Sequence, residues 1–307
     1  MQMTVRTNIR EGMVMKQSRA VGFLIITAIY FIAAAIGVFL FLLLSDLHIF
    51  LRVLIGDAGA TIFVFLAGVA LGNTSVYDPY WSVAPVVILI GLTIYFSVMS
   101  AGIIFLLLAV LYWGIRLTRN WAYTFNNLNT QDWRYDKFKR KFPRIYQLVS
   151  FLGINMVPTL VVYLCLLPGI TFIKTSAFNL ITLLGFAVCV FSATLQLFAD
   201  LQMHKFRKEN IGKKLIIRTG LWKNVRHPNY LGEILMWWGV YIIMISAVPQ
   251  VWFLIIGPIA NTLLFLIVSI PLADNHNRET RPGFDEYVKE TSSLFPLKIK
   301  GRQISEQ

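Results

Sequence analysis

Long apolar runs constrain this chain more than any other feature. A helix needs about 20 residues to cross a hydrocarbon core, and most of the runs reach or approach that length. The 307 residues are 57% hydrophobic and 14% charged, with a mean hydropathy of +0.65, which is too apolar for a soluble domain. We therefore predict an all-α polytopic membrane protein with about eight transmembrane helices. Seven strong runs and a weaker one at 58–72 support this number: 21–44, 84–98, 101–115, 148–170, 177–199, 234–248 and 251–273.

The distribution of positive charge predicts the topology. Residues 1–20 and the segments 116–144 and 200–228 are strongly basic; the last two each carry eight cations and two anions. Segments of this kind stay in the cytoplasm, and an even number of crossings separates them. We therefore expect both termini and the active-site entrance to be cytoplasmic. The chain divides into a basic tail, six helices over 21–199 that include the 116–144 loop, and a C-terminal region over 200–307.

The charge and the cysteines exclude several classes of protein. A net charge of +13 in a chain this apolar indicates topology and attraction to lipid headgroups, so we expect membrane lipids as partners and no nucleic acid. Cys165 and Cys189 lie inside apolar runs, which predicts neither a disulfide framework nor a metal site. The sequence lacks a Gly-rich phosphate loop and a nucleophile elbow.

Two polar stretches interrupt the first half of the chain. Arg52 and Asp57 fall between the first two runs, where we expect them near the outer surface, either as interfacial residues or as an ion pair. The stretch 73–85 contains Asp78 and Tyr80 among aromatic residues. It is expected to be an inner loop, acting either as an aromatic belt at the interface or as a wall of a substrate cavity.

The sixth run predicts a helix that continues past the membrane. Gln196, Asp200, His204 and Arg207 follow one another at steps of four, four and three, which places them on one helical face. That face is either solvated or a polar wall opposite residues 220–233.

Residues 220–233 combine cations, aromatic residues and the start of an apolar helix. Arg226 and neighbouring cations could neutralise phosphates, and a helix that begins near Pro228 offers free N–H groups to an anion. Glu233 is the sharpest signal, because a carboxyl group within a crossing costs a few kcal/mol and is expected to face a cavity. The alternative is an interfacial residue paired with Arg226 or His227.

Four groups of motifs carry a family resemblance. They are Asp200-x-Gln202 with Phe206-Arg207; Gly220-Leu221-Trp222 with Arg226-His227-Pro228-Asn229-Tyr230-x-Gly232-Glu233; Arg281-Pro282-Gly283-Phe284-x-Glu286-Tyr287 with Thr291-Ser292 and Phe295-Pro296; and the stretches 77–85 and 131–135. Together they resemble bacterial membrane proteins grouped with steroid 5-alpha-reductases. More distantly, they resemble sterol reductases and the methyltransferases of isoprenylcysteine or phospholipid.

The resemblance implies a multispanning reductase of a bacterial inner membrane. NADPH would be held on the cytoplasmic side, and a hydride would pass to an activated carbon–carbon double bond of a steroid- or isoprenoid-like lipid. Glu233 would contact the substrate, and Tyr80 is a second catalytic candidate. The expected cofactor residues are Asp200, His204, Arg207, Trp222, Arg226, His227, Asn229, Tyr230, Arg278 and Tyr287.

Two other functions remain open at this point. The His-Pro pair is shared with the methyltransferases, which use S-adenosylmethionine, although these typically carry adjacent glutamates after the last helix where this chain has Arg278-Glu279-Thr280. A transporter or non-enzymatic membrane protein is the third possibility, but inverted repeats are not visible in the sequence.

Overall fold

The computed structural model describes residues 18–175 and 177–296, and the predicted all-α architecture is confirmed in them. The residues 150–156 and 265–269 are π-helical and join neighbouring helices into the continuous segments Tyr146–Ile173 and Pro249–Thr280. The helices are α1 Arg19–Leu43, α2 Ile49–Ala70, α3 Tyr80–Phe96, α4 Ala101–Thr124, α5 Trp133–Lys141, α6 Tyr146–Val149, α7 Val157–Ile173, α8 Leu180–Glu209, α9 Pro228–Ile245, α10 Ile256–Leu264, α11 Ile270–Thr280 and α12 Phe284–Glu290.

Seven helical segments in the described ranges are long and apolar enough to cross a membrane, and α9, which contains the predicted run 234–248, is not among them. This helix has 18 residues and begins with polar side chains, so length and composition alone do not identify it. It lies antiparallel to α8 along its whole length. At one end Trp222 Nε1 donates to the carbonyl of Ala199 (3.0 Å), and at the other Asn179 Nδ2 donates to the carbonyl of Ser246 (3.0 Å).

The basic segments between helices meet at one end of the bundle, which we call the polar end. It comprises residues 125–145, residues 210–227 and α12. Lys137 of α5 forms an ion pair of 2.7 Å with Glu279 of α11, and Arg218 pairs with Glu290 of α12. The convergence of these segments agrees with the predicted even number of crossings; their cytoplasmic location stays a prediction.

Glycines allow α8 and α9 to approach each other closely. A Cβ at Gly239 would lie 2.5 Å from Cys189 Sγ, and one at Gly185 would lie 2.7 Å from the backbone nitrogen of Ile243. A Cβ at Gly232 would similarly meet Gln196 Cγ at 2.4 Å. These contacts fix the register that places the polar face of α8 beside the start of α9.

Two expectations about the first half of the chain are wrong. The second helix begins at Ile49, so Arg52 and Asp57 are buried inside it instead of lying in an outer-surface segment. They can be buried because each finds partners on other helices, described below. The inner loop is also shorter than 73–85, since α3 begins at Tyr80, directly after a turn that is capped by the side chain of Asn73.

Candidate functional site

Glu233 lies in the second turn of α9 and faces the interior of the bundle. Its side chain is held by two indoles: Trp113 Nε1 donates to Oε2 at 2.8 Å, and Trp237 Nε1 donates to Oε1 at 3.1 Å. Both tryptophans are fully buried, and Glu233 itself is 5% exposed. Each carboxylate oxygen therefore has a donor within apolar surroundings, as a buried charge requires.

A polar network lies beside Glu233, toward the polar end. Arg116 of α4 donates through Nη1 to Asp200 Oδ2 at 2.7 Å and through Nη2 to Gln196 Oε1. The Arg116 and Asp200 side chains are only 4% and 13% exposed. Arg116 was not predicted as a site residue from the sequence. A cation beside the apolar residues of a crossing could have indicated that it is buried and paired.

The predicted polar face of α8 is present and contacts α4. One turn beyond Asp200, His204 Nε2 lies 2.6 Å from Asn120 Oδ1. Two residues of α4 four positions apart, Arg116 and Asn120, therefore contact two residues of α8 at the same spacing, Asp200 and His204. Arg207 adds positive charge near Asp200 from the next turn. This face is a polar wall, and most of it is not solvated.

The charges at the start of α9 converge on a carboxylate, Asp274, that was not predicted as a site residue from the sequence. His227 Nε2 lies 2.8 Å from Asp274 Oδ1, and Arg226 Nε lies 3.4 Å from Asp274 Oδ2. Arg226 Nη1 also donates to the carbonyl of Thr291 at 2.5 Å. The partner of His227 and Arg226 is therefore Asp274 and not Glu233. Asp274 directly follows an apolar run, and this position could have indicated a carboxylate near the end of a crossing.

Aromatic residues brace the start of α9. The His227 ring stacks on Tyr230 with centroids 5.0 Å apart and an interplanar angle of 6°. Tyr287 of α12 donates to the carbonyl of Trp222 at 2.5 Å, and burial raises the pKa of Tyr287 to about 12. With its hydroxyl engaged in this way, Tyr287 holds α12 against residues 220–223.

The remaining predicted cofactor residues occupy different environments. Asn229 accepts from the backbone N–H of Tyr230 at 3.1 Å and is half-buried near Asp200. Arg278 lies at the surface, where it pairs with Asp285 at 3.0 Å. The structure thus brings Asp200, His204 and Asn229 together near Glu233 and leaves Arg278 at the periphery.

Tyr80 belongs to a separate cavity. Its hydroxyl donates to Asp57 Oδ1 at 2.8 Å, and both residues line an apolar cavity of about 180 Å³ between α1, α2 and α3. Val38, Leu42 and Val87 also line it and are exposed, so the cavity opens sideways on the apolar surface of the bundle. Asp57 is the partner that sequence reasoning missed, because it was expected at the outer surface.

The Tyr80 cavity and the Glu233 network are neighbours. Trp81, next to Tyr80 in the chain, has its ring 6.2 Å from that of Trp113, whose indole binds Glu233. The two predicted catalytic residues therefore lie on opposite sides of a tryptophan pair and do not share one pocket. Tyr80 meets the apolar cavity, and Glu233 meets the polar network.

Several buried donors near these groups lack a partner. Arg116 Nε and Gln196 Nε2 are buried and make no hydrogen bond with the part of the chain that the structure describes. Arg226 Nε also makes no hydrogen bond there, but it is ion-paired with Asp274 Oδ2 at 3.4 Å. The two unpaired donors suit a ligand that carries acceptors, such as phosphate or amide oxygens. Within the same residues, no group of three or more His, Cys, Asp or Glu side chains is arranged to hold a metal ion.

Comparisons with known proteins give a family and one curated relative. The model of the family described as "Protein of unknown function (DUF1295)" matches residues 64–291, which is most of the chain. The uncharacterized protein C594.04c of Schizosaccharomyces pombe is 25% identical over 198 residues, covering 55% of this chain and 57% of the relative. This match therefore spans little more than half of the relative's length. No solved structure matches the chain significantly.

Proposed function

The chain belongs to the DUF1295 family, and we propose that it is an NADPH-dependent membrane reductase. Its substrate is a steroid- or isoprenoid-like lipid with an activated carbon–carbon double bond. The observation that carries the proposal is the apolar cavity that opens to the bilayer and contains the hydrogen-bonded pair of Tyr80 and Asp57. A lipid can enter such a cavity directly from the membrane.

The Tyr80 and Asp57 pair is suited to polarise a carbonyl group. In the structure Tyr80 donates its single hydroxyl hydrogen to Asp57 Oδ1. When the Asp57 carboxyl group is protonated, it can instead donate to the Tyr80 oxygen. The Tyr80 hydrogen is then free to be donated to a substrate carbonyl oxygen and to supply a proton as charge develops there. An enone carbonyl at this pair would be activated for reduction.

The polar end has residues that fit a nucleotide cofactor. Arg116 and Gln196 hold the unpaired donors, and His204, Arg207 and Asn229 lie near Asp200 at the same end. NADPH, when bound, supplies the hydride. This chain's own residues would bind its polar parts, and Glu233 would position the network by holding Trp113 and Trp237.

The alternative of an S-adenosylmethionine-dependent methyltransferase uses the same polar end. Both cofactors are polar and rich in acceptors, so the unpaired donors alone do not distinguish them. The cavity favours the reductase, because a phenol paired with a carboxylate suits carbonyl activation better than it suits transfer of a methyl group.

Titration of the detergent-purified protein with each cofactor tests the proposal. We expect saturable binding of NADPH, and oxidation of NADPH when a steroid enone is added. Tyr80→Phe should lower turnover about 10²- to 10⁴-fold, the usual contribution of a proton donor, with NADPH affinity unchanged. Tyr241→Phe is the matched control, because its hydroxyl donates only to the carbonyl of Trp252, at the opposite end of the bundle.

The experiment has two outcomes that would overturn the proposal. Saturable binding of S-adenosylmethionine without binding of NADPH would establish the alternative. Undiminished turnover in Tyr80→Phe, with loss of turnover in Glu233→Gln, would move the catalytic donor from the cavity to the Glu233 network.

A further inference from the structure

The cavity between α1, α2 and α3 has a buried cation at the end away from the polar end. Arg52 lies in the first turn of α2 and is 6% exposed. Its guanidinium carbon lies 4.0 Å from the ring centroid of Phe41 and 5.2 Å from that of Tyr95. Nε donates to the carbonyl of Phe41 at 2.9 Å, and Nη1 donates to the hydroxyl of Tyr95 at 3.2 Å.

Arg52 has no counter-charge in the described part of the chain. No carboxylate of residues 18–175 or 177–296 lies within 4.0 Å of its nitrogens, although Asp57 lines the same cavity. A charged side chain at such a position is costly unless it is paired, and intramembrane charges commonly mark sites for ligands. The aromatic rings and neutral acceptors stabilise the guanidinium but leave its charge uncompensated.

One edge of the guanidinium remains available for a ligand. Arg52 Nη2 makes no hydrogen bond within the described ranges. The buried atoms that lack a hydrogen-bond partner do not include it, so Nη2 is partly exposed. The fork of an arginine matches the two oxygens of a carboxylate. The cavity of about 180 Å³ holds about six water volumes at about 30 Å³ each. It therefore has room for a compact head and a short stretch of chain, and the rest of a long chain would extend through the lateral opening.

We propose that this cavity binds a long-chain lipid carboxylate, with its carboxylate at Arg52 and Tyr95 and its chain running toward Asp57 and Tyr80. Charge complementarity specifies the head of the ligand, and the apolar lining specifies its body. The inference goes beyond the proposed function and does not rest on it, because a lipid carboxylate held in this way would compete with the enone lipid for the same cavity.

Gly91 gives a direct test of occupancy. A Cβ at Gly91 meets nothing within 4 Å, and Gly91 lines the cavity, so Gly91→Leu adds a side chain at the cavity wall whose Cβ has open space. Gly153→Leu is the matched control, since Gly153 has equal space but is not among the residues that line this cavity. Both glycines are exposed and helical, and neither has a positive φ, so both variants should fold.

Binding of labelled palmitic acid and of methyl palmitate to the purified protein, at alkaline pH and without NADPH, measures the effect. We expect the acid to bind about tenfold more tightly than the ester, as for one hydrogen bond between charged groups. Arg52→Gln should abolish this preference, and Gly91→Leu should weaken binding of both ligands while Gly153→Leu leaves it unchanged.

Two results would overturn the inference: equal affinity for acid and ester in the wild-type protein, or unchanged binding of the acid in Gly91→Leu. Because the assay contains no NADPH, either result leaves the reductase proposal standing if a steroid enone still drives NADPH oxidation. Conversely, selective binding of the acid without any NADPH oxidation would support the carboxylate site and contradict the reductase.

Discussion

The ion pair between Arg116 and Asp200 should contribute more to stability than any surface pair of this protein. Its side chains are 4% and 13% exposed, and Arg116 also donates to Gln196. Arg116→Gln leaves the Asp200 carboxylate buried without its cation. Loss of one partner of a buried pair costs about 3–5 kcal/mol, so we expect a decrease of that size in the free energy of unfolding.

A surface pair provides the comparison. Lys137 and Glu279 lie 2.7 Å apart, but their side chains are 34% and 57% exposed, and solvent screens pairs of this kind strongly. Lys137→Gln should therefore change the free energy of unfolding much less than Arg116→Gln does. The two pairs have equal lengths and opposite burial, so the comparison isolates the effect of solvent.

A double-mutant cycle tests whether the effect belongs to the pair. Asp200→Asn combined with Arg116→Gln removes both charges, and the double variant should be less destabilised than the sum of the single variants by at least about 1 kcal/mol. Unfolding in mixed micelles can be followed by fluorescence of the eight tryptophans. A loss below about 1 kcal/mol in Arg116→Gln, or coupling no larger than that of Lys137 and Glu279, would refute the reasoning.

Three further predictions concern packing and the brace at the polar end. Gly239→Ala should destabilise the protein by about 1–3 kcal/mol, because a Cβ there overlaps Cys189 Sγ; an unchanged unfolding midpoint would contradict the close packing of α8 and α9. Asp274→Asn leaves His227 and Arg226 without a buried anion, and should lower the free energy of unfolding by about 3–5 kcal/mol in the same assay. The pKa of Tyr287 is raised to about 12. Its hydrogen bond to the carbonyl of Trp222 should therefore stabilise the fold fully below pH 10 and be lost as the pH rises toward 12. The wild-type protein should lose its stability advantage over Tyr287→Phe in that pH range.

The sequence determined the all-α architecture, the order of the apolar helices and the polar face of α8. Apolar length and the distribution of cations depend on local composition, and a spacing of four, four and three fixes a helical face without knowledge of its neighbours. Gln196, Asp200 and His204 therefore appear together in the structure as predicted. The start of α2 escaped prediction, because Arg52 and Asp57 resemble interfacial residues until their partners are known.

The tertiary structure alone decided which polar groups meet. Arg116 and Asp200 are 84 residues apart, His227 and Asp274 are 47 apart, and Tyr80 and Asp57 come from different helices. These pairings depend on the rotation and spacing of packed helices, which close contacts such as that of Gly239 with Cys189 set to within a few tenths of an ångström. Periodicity along one helix carries no information about that geometry. The sequence therefore indicated which helical faces are charged, and the packing of the helices determined which residues pair.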